Sequence, residues 1–227
     1  MLPHSYVGED VTFQITLNDG RPGHPMETTE TFTINVDPND PPEFTNTDNI
    51  IQLIHHGCQY NYDVDWYDPD GDVVSLAWDE NIAWLNVNSY GQLSGTPTEG
   101  DFSPGETVLL TITDDRPIVP LSTSFSFTIS VELNIAPEFT AVPDDDDETT
   151  ATVGSYYSFQ FGINDANGHH FDFTVPTRPS WLSYNSSNYT ISGMPSSSDI
   201  SATNDVTVQA ADCGQETSFS FSIVVTN

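Results

Sequence analysis

Along most of the chain apolar and polar residues alternate with a period of two. Tyr60, Tyr62, Val64 and Trp66 stand on one side of such a run, and Val74, Leu76 and Trp78, then Val108, Leu110 and Ile112, then Phe125 to Val131 repeat the pattern. In an extended chain successive side chains point to opposite faces, so each run predicts a strand with one buried face. Gly, Pro, Asn and Asp gather between the runs, and no stretch shows the 3.6-residue period of an amphipathic helix. The expected fold is therefore all-β, with short strands joined by turns.

The pattern occurs twice. Tyr60, Tyr62, Val64 and Trp66 have apolar counterparts 97 positions on, at Tyr157, Phe159, Phe161 and Ile163. Asp68-Pro69-Asp70-Gly71 answers Asp165-Ala166-Asn167-Gly168, and Trp84-Leu85 answers Trp181-Leu182. One residue later in phase, Leu93-Ser94-Gly95-Thr96-Pro97 answers Ile191-Ser192-Gly193-Met194-Pro195, and Val108, Leu110 and Ile112 answer Val206, Val208 and Ala210. A repeat of about 95 residues with about seven strands fits a Greek-key β-sandwich, and the chain reads as a tandem array. Two complete modules are expected at 39–133 and 134–227. Residues 1–38 hold only two final strands, Val11 to Leu17 and Phe32 to Val36. Two strands cannot bury a core alone, so the rest of that module is expected upstream in a longer polypeptide, with strand donation from a neighbouring subunit as the alternative.

Composition narrows the partners. Hydrophobic residues make up 36% and aromatics 11%, enough to bury cores. Thirty-four Asp and Glu face three Arg and no Lys, for a formal charge of −31. Nucleic acid and anionic membrane are repelled by such a surface, and hard divalent cations are invited. The chain shows neither a signal peptide nor an apolar span of about 20 residues, so targeting and anchoring are expected outside it and this segment does not insert in a membrane. Asn185-Ser186-Ser187 and Asn188-Tyr189-Thr190 are sequons, with Asn185 and Asn188 as candidate glycosylation sites of a secreted protein.

Asp68-Pro69-Asp70-Gly71-Asp72, Trp84-Leu85, Gly91 to Pro97 and the Asp-ending strand Leu110 to Asp114 resemble the cadherin-like repeats of the dystroglycan and bacterial putative-Ig type. The resemblance covers nearly the whole chain. It implies tandem seven-stranded cadherin/Ig-like sandwiches at a cell surface or outside the cell, used for adhesion, spacing or assembly, with calcium at some module junctions. Partners on this reading are calcium, other copies of the chain and neighbouring surface or filament proteins.

Asp37-Pro38-Asn39-Asp40-Pro41-Pro42-Glu43-Phe44 follows the cadherin linker pattern D-x-N-D-N-x-P-x-F, with one residue fewer and Pro41 where an Asn would stand. Strands alternate in direction, so the loop bearing Asp68 and Asp70 and the loop bearing Asp114 face the same end of the module. Asp37, Asn39, Asp40, Asp68, Asp70 and Asp114 are therefore expected to hold Ca2+, with Glu9 and Asp10 closing the shell from the preceding hairpin. Calcium takes six to eight oxygens at about 2.3–2.6 Å. The family's Leu-Asp-Arg-Glu ligand motif is absent. Without an ion these carboxylates repel by about 1 kcal/mol per pair at 4 Å in water.

At the equivalent place in the second module the sequence reads Glu132-Leu133-Asn134-Ile135-Ala136-Pro137-Glu138-Phe139. Ile135 stands where Asp40 stood, and a full calcium shell is not expected. The same strand logic turns the two cysteines, Cys58 at the lower end of 39–133 and Cys213 at the upper end of 134–227, towards one junction, which predicts an interdomain disulfide. His55, His56, His169 and His170 gather near them, and a His/Cys transition-metal site is the rival reading. The acidic run Asp144 to Glu148 reads as a solvated loop.

No nucleophile–base motif such as G-x-S-x-G or H-E-x-x-H is present, and no catalysis is expected. A carbohydrate-binding module is the alternative function, with glycans as ligands. Trp66, Trp78, Trp84 and Trp181 fall at positions apolar in both repeats and read as core, which leaves Tyr67, Tyr90 and Tyr156 as platforms for sugar stacking.

Overall fold

A computed structural model describes residues 10–200 and 202–227. The chain divides into two compact units, one of Met1–Asn46, Asp65–Ala77 and Leu110–Phe125, the other of Thr47–Val64, Trp78–Leu109 and Ser126–Asn227. No α-helix occurs among the described residues.

An antiparallel hairpin opens the first unit, β1 (Asp10–Asn18) with β2 (Glu27–Asn35). Its register sets Val11 opposite Ile34 and Phe13 opposite Phe32, whose rings stack at 5.3 Å. The alternation read from sequence is thus present, but Phe13, Ile15, Leu17, Phe32 and Ile34 remain exposed.

The next strands are β3 (Glu43–Phe44), β4 (Leu53–His55), β5 (Tyr60–Asp63), β6 (Trp66–Tyr67), β7 (Val74–Trp78), β8 (Leu85–Val87), β9 (Gln92–Gly95), β10 (Ser103–Asp114) and β11 (Ser122–Glu132). The last repeat supplies β12 (Glu138–Ala141), β13 (Thr150–Thr152), β14 (Tyr157–Gln160), β15 (Gly162–Asn164), β16 (Asp172–Thr177), β17 (Leu182–Asn185), β18 (Thr190–Gly193), β19 (Asp205–Ala211), β20 (Glu216–Ser222) and β21 (Val224–Thr226).

Residues 138–226 give the complete pattern within one unit. β16, β19 and β20 form one sheet in that order, and β14, β18 and β17 form another. Between them lie Phe161, Phe173, Val175, Leu182, Ile191, Val206 and Val208, all buried. Fully burying one such side chain contributes roughly 1.5–3 kcal/mol. The repeat at 39–133 reproduces the pairings: β5–β9–β8 corresponds to β14–β18–β17, β3–β6 to β12–β15, and the parallel pair β4–β11 to β13–β21.

One detail departs from the alternation. Tyr60 to Trp66 and Tyr157 to Ile163 each read as a single strand, yet each is two. β14 pairs with β18, whereas β15 pairs with β12. The break falls at Phe161, whose amide donates to Tyr189 O instead of to a ladder partner. Changing partners mid-strand keeps the period of two intact, so the sequence pattern does not register it.

The repeated glycine of Leu-Ser-Gly and Ile-Ser-Gly has a steric cause. A Cβ on Gly95 would stand 2.1 Å from Trp84 O, and one on Gly193 would stand 2.0 Å from Trp181 O. The tryptophan at each site meets a tyrosine edge-on, Trp84 with Tyr60 and Trp181 with Tyr157, both at 6.0 Å. All four tryptophans are half-buried.

Candidate functional site

Two loops and one linker segment meet in each repeat, and their polar groups form two equivalent cradles. The first lies wholly in the first unit. The turn after β6 runs Asp68-Pro69-Asp70-Gly71-Asp72, with Gly71 at φ +80°. Asp68 Oδ1 accepts from the amides of Asp70 (2.9 Å) and Asp72 (3.1 Å), so the turn locks that carboxylate by one oxygen. Asp114, at the end of β10 and buried, is held by both oxygens. Its Oδ1 accepts from Arg116 N, and its Oδ2 accepts from Leu121 N and from Asn39 Nδ2 at 2.7 Å. Burial works to raise its carboxyl, but these hydrogen bonds and Arg116 outweigh it and hold it below the usual carboxylate range.

Two oxygens are left over in this network. Asn39 Oδ1 and Asp68 Oδ2 are buried without a hydrogen-bond partner. A buried polar atom without a partner costs about 1–3 kcal/mol, and it is accounted for where something else is bound. These donors fit a hard cation: carboxylate and amide oxygens, in a cluster where Asp68, Asp70 and Asp72 offer oxygens within 4.8 Å of one another.

The expected residues fare differently. Asn39, Asp68, Asp70 and Asp114 are joined in the network. Asp40 joins through its backbone, its amide donating to Asp70 Oδ2 at 2.8 Å, while its side chain is exposed. Asp37 is exposed, Asp10 is bonded to Asn35 across the hairpin, and Glu9 lies outside the described residues. Sequence reasoning missed Arg116. Its Nε donates to Asp72 Oδ2 and its Nη2 lies 3.7 Å from Asp70, so a cation of the chain itself already offsets part of the acidic charge. The available signal was that Arg116 is one of only three basic residues, two positions after Asp114.

The second cradle lies wholly in the second unit and repeats several bonds of the first, although Asp212 is held by Oδ1 alone where Asp114 is held by both oxygens. Asp165 Oδ1 accepts from the amides of Asn167 and His169, as Asp68 does from Asp70 and Asp72. Asn134 Nδ2 donates to Asp212 Oδ1 at 3.0 Å, as Asn39 does to Asp114. The Ile135 amide donates to Asn167 Oδ1 at 2.7 Å, the counterpart of Asp40 N on Asp70. The substitution of Ile for Asp therefore changes nothing in the contact made there, because only the backbone makes it.

Beside this cradle stands the Cys58–Cys213 disulfide, with Cα atoms 4.9 Å apart. Two glycines allow the approach: a Cβ on Gly57 would lie 2.8 Å from Gly214 Cα, and Gly57 has φ +81°. The imidazole of His169 sits against both sulfurs, 3.9 Å from Cys58 Sγ and 3.8 Å from Cys213 Sγ, and its Nε2 is 3.0 Å from His55 Nδ1. His56 turns elsewhere, accepting from Asn134 N through Nδ1. His170 is exposed. Because the sulfurs are bonded to each other, they present no thiolate pair to a metal.

Asn185 and Asn188 are exposed at the turn between β17 and β18. Tyr90 and Tyr156 are exposed, and Tyr67, half exposed, donates its hydroxyl to Glu43 at 2.7 Å. Asp144, Asp145 and Glu148 sit together in an exposed turn closed by their own backbone contacts. No helix among the described residues is long and apolar enough to cross a membrane.

Residues 139–226 match the family model described as Putative Ig domain. No curated protein matches the chain. Among solved structures the chain is similar to Sidekick-1 immunoglobulin domains 1-5, at 16% identity and a TM-score of 0.47, over 95% of this chain and 46% of that one. It is also similar to Drosophila N-cadherin EC1-4, at 15% identity and a TM-score of 0.35, over 96% of this chain and 59% of that one. A third is the endo-fucoidan hydrolase MfFcnA4 from glycoside hydrolase family 107, at 20% identity and a TM-score of 0.32, over 97% of this chain and 34% of that one. The chain thus spans less than half the length of the Sidekick-1 and hydrolase structures. The Putative Ig domain match covers 139–226, and the β-sheet pairings of that segment recur at 39–133, so the chain is all-β with the same strand pattern twice.

Proposed function

We propose that this array of Ig/cadherin-like modules is a non-catalytic spacer or adhesive segment of an extracellular surface or filament protein, stiffened by Ca2+ in the cradle of Asn39, Asp68, Asp70 and Asp114. The observation that supports it is the pair of buried oxygens, Asn39 Oδ1 and Asp68 Oδ2, for which no donor is present. An ion there supplies the positive charge that those oxygens lack. It would also tie the segment that leaves the β1–β2 hairpin to the loops after β6 and β10, adding to the bonds that Asn39 and Asp40 already make there. Extracellular modules bind calcium with dissociation constants of about 10⁻⁴–10⁻³ M, so such a site fills outside a cell and stays empty in cytosol. The disulfide suits the same oxidising compartment. Partners on this reading are further copies of the chain or neighbouring surface proteins.

The test is thermal unfolding followed while calcium is titrated. At about twentyfold excess over its dissociation constant the ion should stabilise the first unit by about 1.8 kcal/mol. Asp68→Asn keeps the turn's hydrogen bonds and should abolish the shift. An unaltered melting temperature in the wild-type chain rejects the calcium reading.

A further inference from the structure

We infer that the second cradle is a metal site of its own, built from Asn134, Asp165, His169 and Asp212, and that it takes a first-row divalent ion of the zinc class in preference to calcium. The carboxylates are presented in a way that purely structural groups have no need of. Asp165 is gripped through Oδ1 by two backbone amides, and Asp212 through Oδ1 by the amides of Gly214 (2.8 Å) and Gln215 (2.6 Å) and by Asn134 Nδ2. In each case the second oxygen is left over. Asp165 Oδ2, Asp212 Oδ2 and Asn134 Oδ1 are all buried without a hydrogen-bond partner, and the two acidic side chains are only 2% and 0% exposed. Fixing one oxygen by outer contacts while freeing the other is how proteins orient metal-binding carboxylates.

His169 completes the set and changes its chemistry. It stands where the first cradle has Asp72, and its Nδ1 lies 3.8 Å from Asp212 Oδ2 and 4.0 Å from Asp165 Oδ1. Those separations are too long for a strong hydrogen bond. The 3.8 Å to the unpartnered Asp212 Oδ2 matches two donors sharing one ion, since ligands about 2.0–2.2 Å from a metal stand roughly 3–4 Å apart, and Asp165, His169 and Asp212 each offer a ligand atom within 4.8 Å of the others. The other ring nitrogen, Nε2, is 3.0 Å from His55 Nδ1. When the proton of that bond resides on His169 Nε2, the Nδ1 lone pair faces the carboxylates, the tautomer a metal requires.

Gly214 stands where the first cradle has Arg116, so no guanidinium at that position offsets the charge. Two carboxylates, an amide oxygen and an imidazole make a mixed N/O set, which suits Zn2+, Co2+ or Mn2+. Calcium favours an all-oxygen shell. With the cysteines locked in their disulfide, the thiolates of the rival sequence reading take no part.

The test is a titration of the full chain, disulfide intact, with Zn2+ and Co2+ in saturating calcium. One equivalent should bind, Co2+ should give visible d–d bands without a thiolate charge-transfer band, and the His169 Nδ1 resonance should shift. His55→Gln should weaken binding roughly 10- to 100-fold, and His169→Ala should abolish it, whereas Asp68→Asn in the first cradle should leave it unchanged. The His169 resonance is read in the wild-type chain, so the test stands even where a variant folds poorly. A resonance that does not move, a Zn2+ affinity unaffected by His169→Ala, or binding that appears only after the disulfide is reduced would each overturn the assignment.

Discussion

Arg116 donates from Nε to Asp72, and the same guanidinium lies 3.7 Å from Asp70. The acidic cluster at the first cradle is therefore not a set of bare charges awaiting an ion. It already holds a cation, tethered to the chain and able to compete with a free one. Arg116→Gln is expected to lower stability in the absence of calcium and to tighten calcium binding several-fold, both read from calcium titrations by calorimetry. Unchanged calcium affinity would mean that the guanidinium and the ion do not share the carboxylates.

A second outcome concerns alkali. Tyr157 is buried and donates its hydroxyl to Glu148 O at 2.7 Å, and burial, then the nearby Glu148 charge, push its phenol up to about 12. Tyr60 is raised in the same way, chiefly by burial. A folded value above the unfolded one of about 10 means that the stabilisation is complete below pH 10 and is lost as pH climbs towards the folded value. For Tyr157 the unfolding free energy should fall by at most about 2 kcal/mol over that interval once solvent screening of its phenol is discounted, and Tyr60 acts in the same direction. Tyr157→Phe should remove its share of the slope, measured by denaturant titration at each pH.

The glycines separate two physical causes. Gly193→Ala drives a methyl against Trp181 O and should cost roughly 3 kcal/mol, because backbone must move. Gly154→Ala meets nothing within 4 Å and strains only its φ of +74°, which should cost about 1–2 kcal/mol. Comparable losses at the two sites in urea titrations would contradict the steric account.

Reduction offers a fourth measurement. Cys58 and Cys213 are 155 residues apart, so breaking their bond releases a large loop in the unfolded chain. A loss of about 2–5 kcal/mol is expected on adding a phosphine reductant. Cys58→Ser should reproduce it and be insensitive to the reagent.

Much of the fold could be read from the residues. Tyr60/Tyr157, Trp84/Trp181 and Gly95/Gly193 occupy the same places in the two repeats, and Val108, Leu110, Ile112, Val206, Val208 and Ala210 are all fully buried, as their alternation requires. The pairing of Cys58 with Cys213 followed from strand direction alone. The cradles were legible only as a gathering of names. Asp40 was expected to contribute its side chain and contributes its amide, and the second cradle was set aside because Ile135 lacks a carboxylate that the contact never uses.

The sequence by itself determined the all-β class, the repeat and the buried faces, because a period of two and a glycine at a crowded turn are local constraints. Only the tertiary structure decided which oxygen of each acid is spent and which is left over. Asp212 owes its bond to Asn134, 78 positions away, and Asp72 owes its partner to Arg116, 44 positions away. Hydrogen-bond saturation is settled by neighbours in space, and a carboxylate's spare oxygen exists only once those neighbours have arrived.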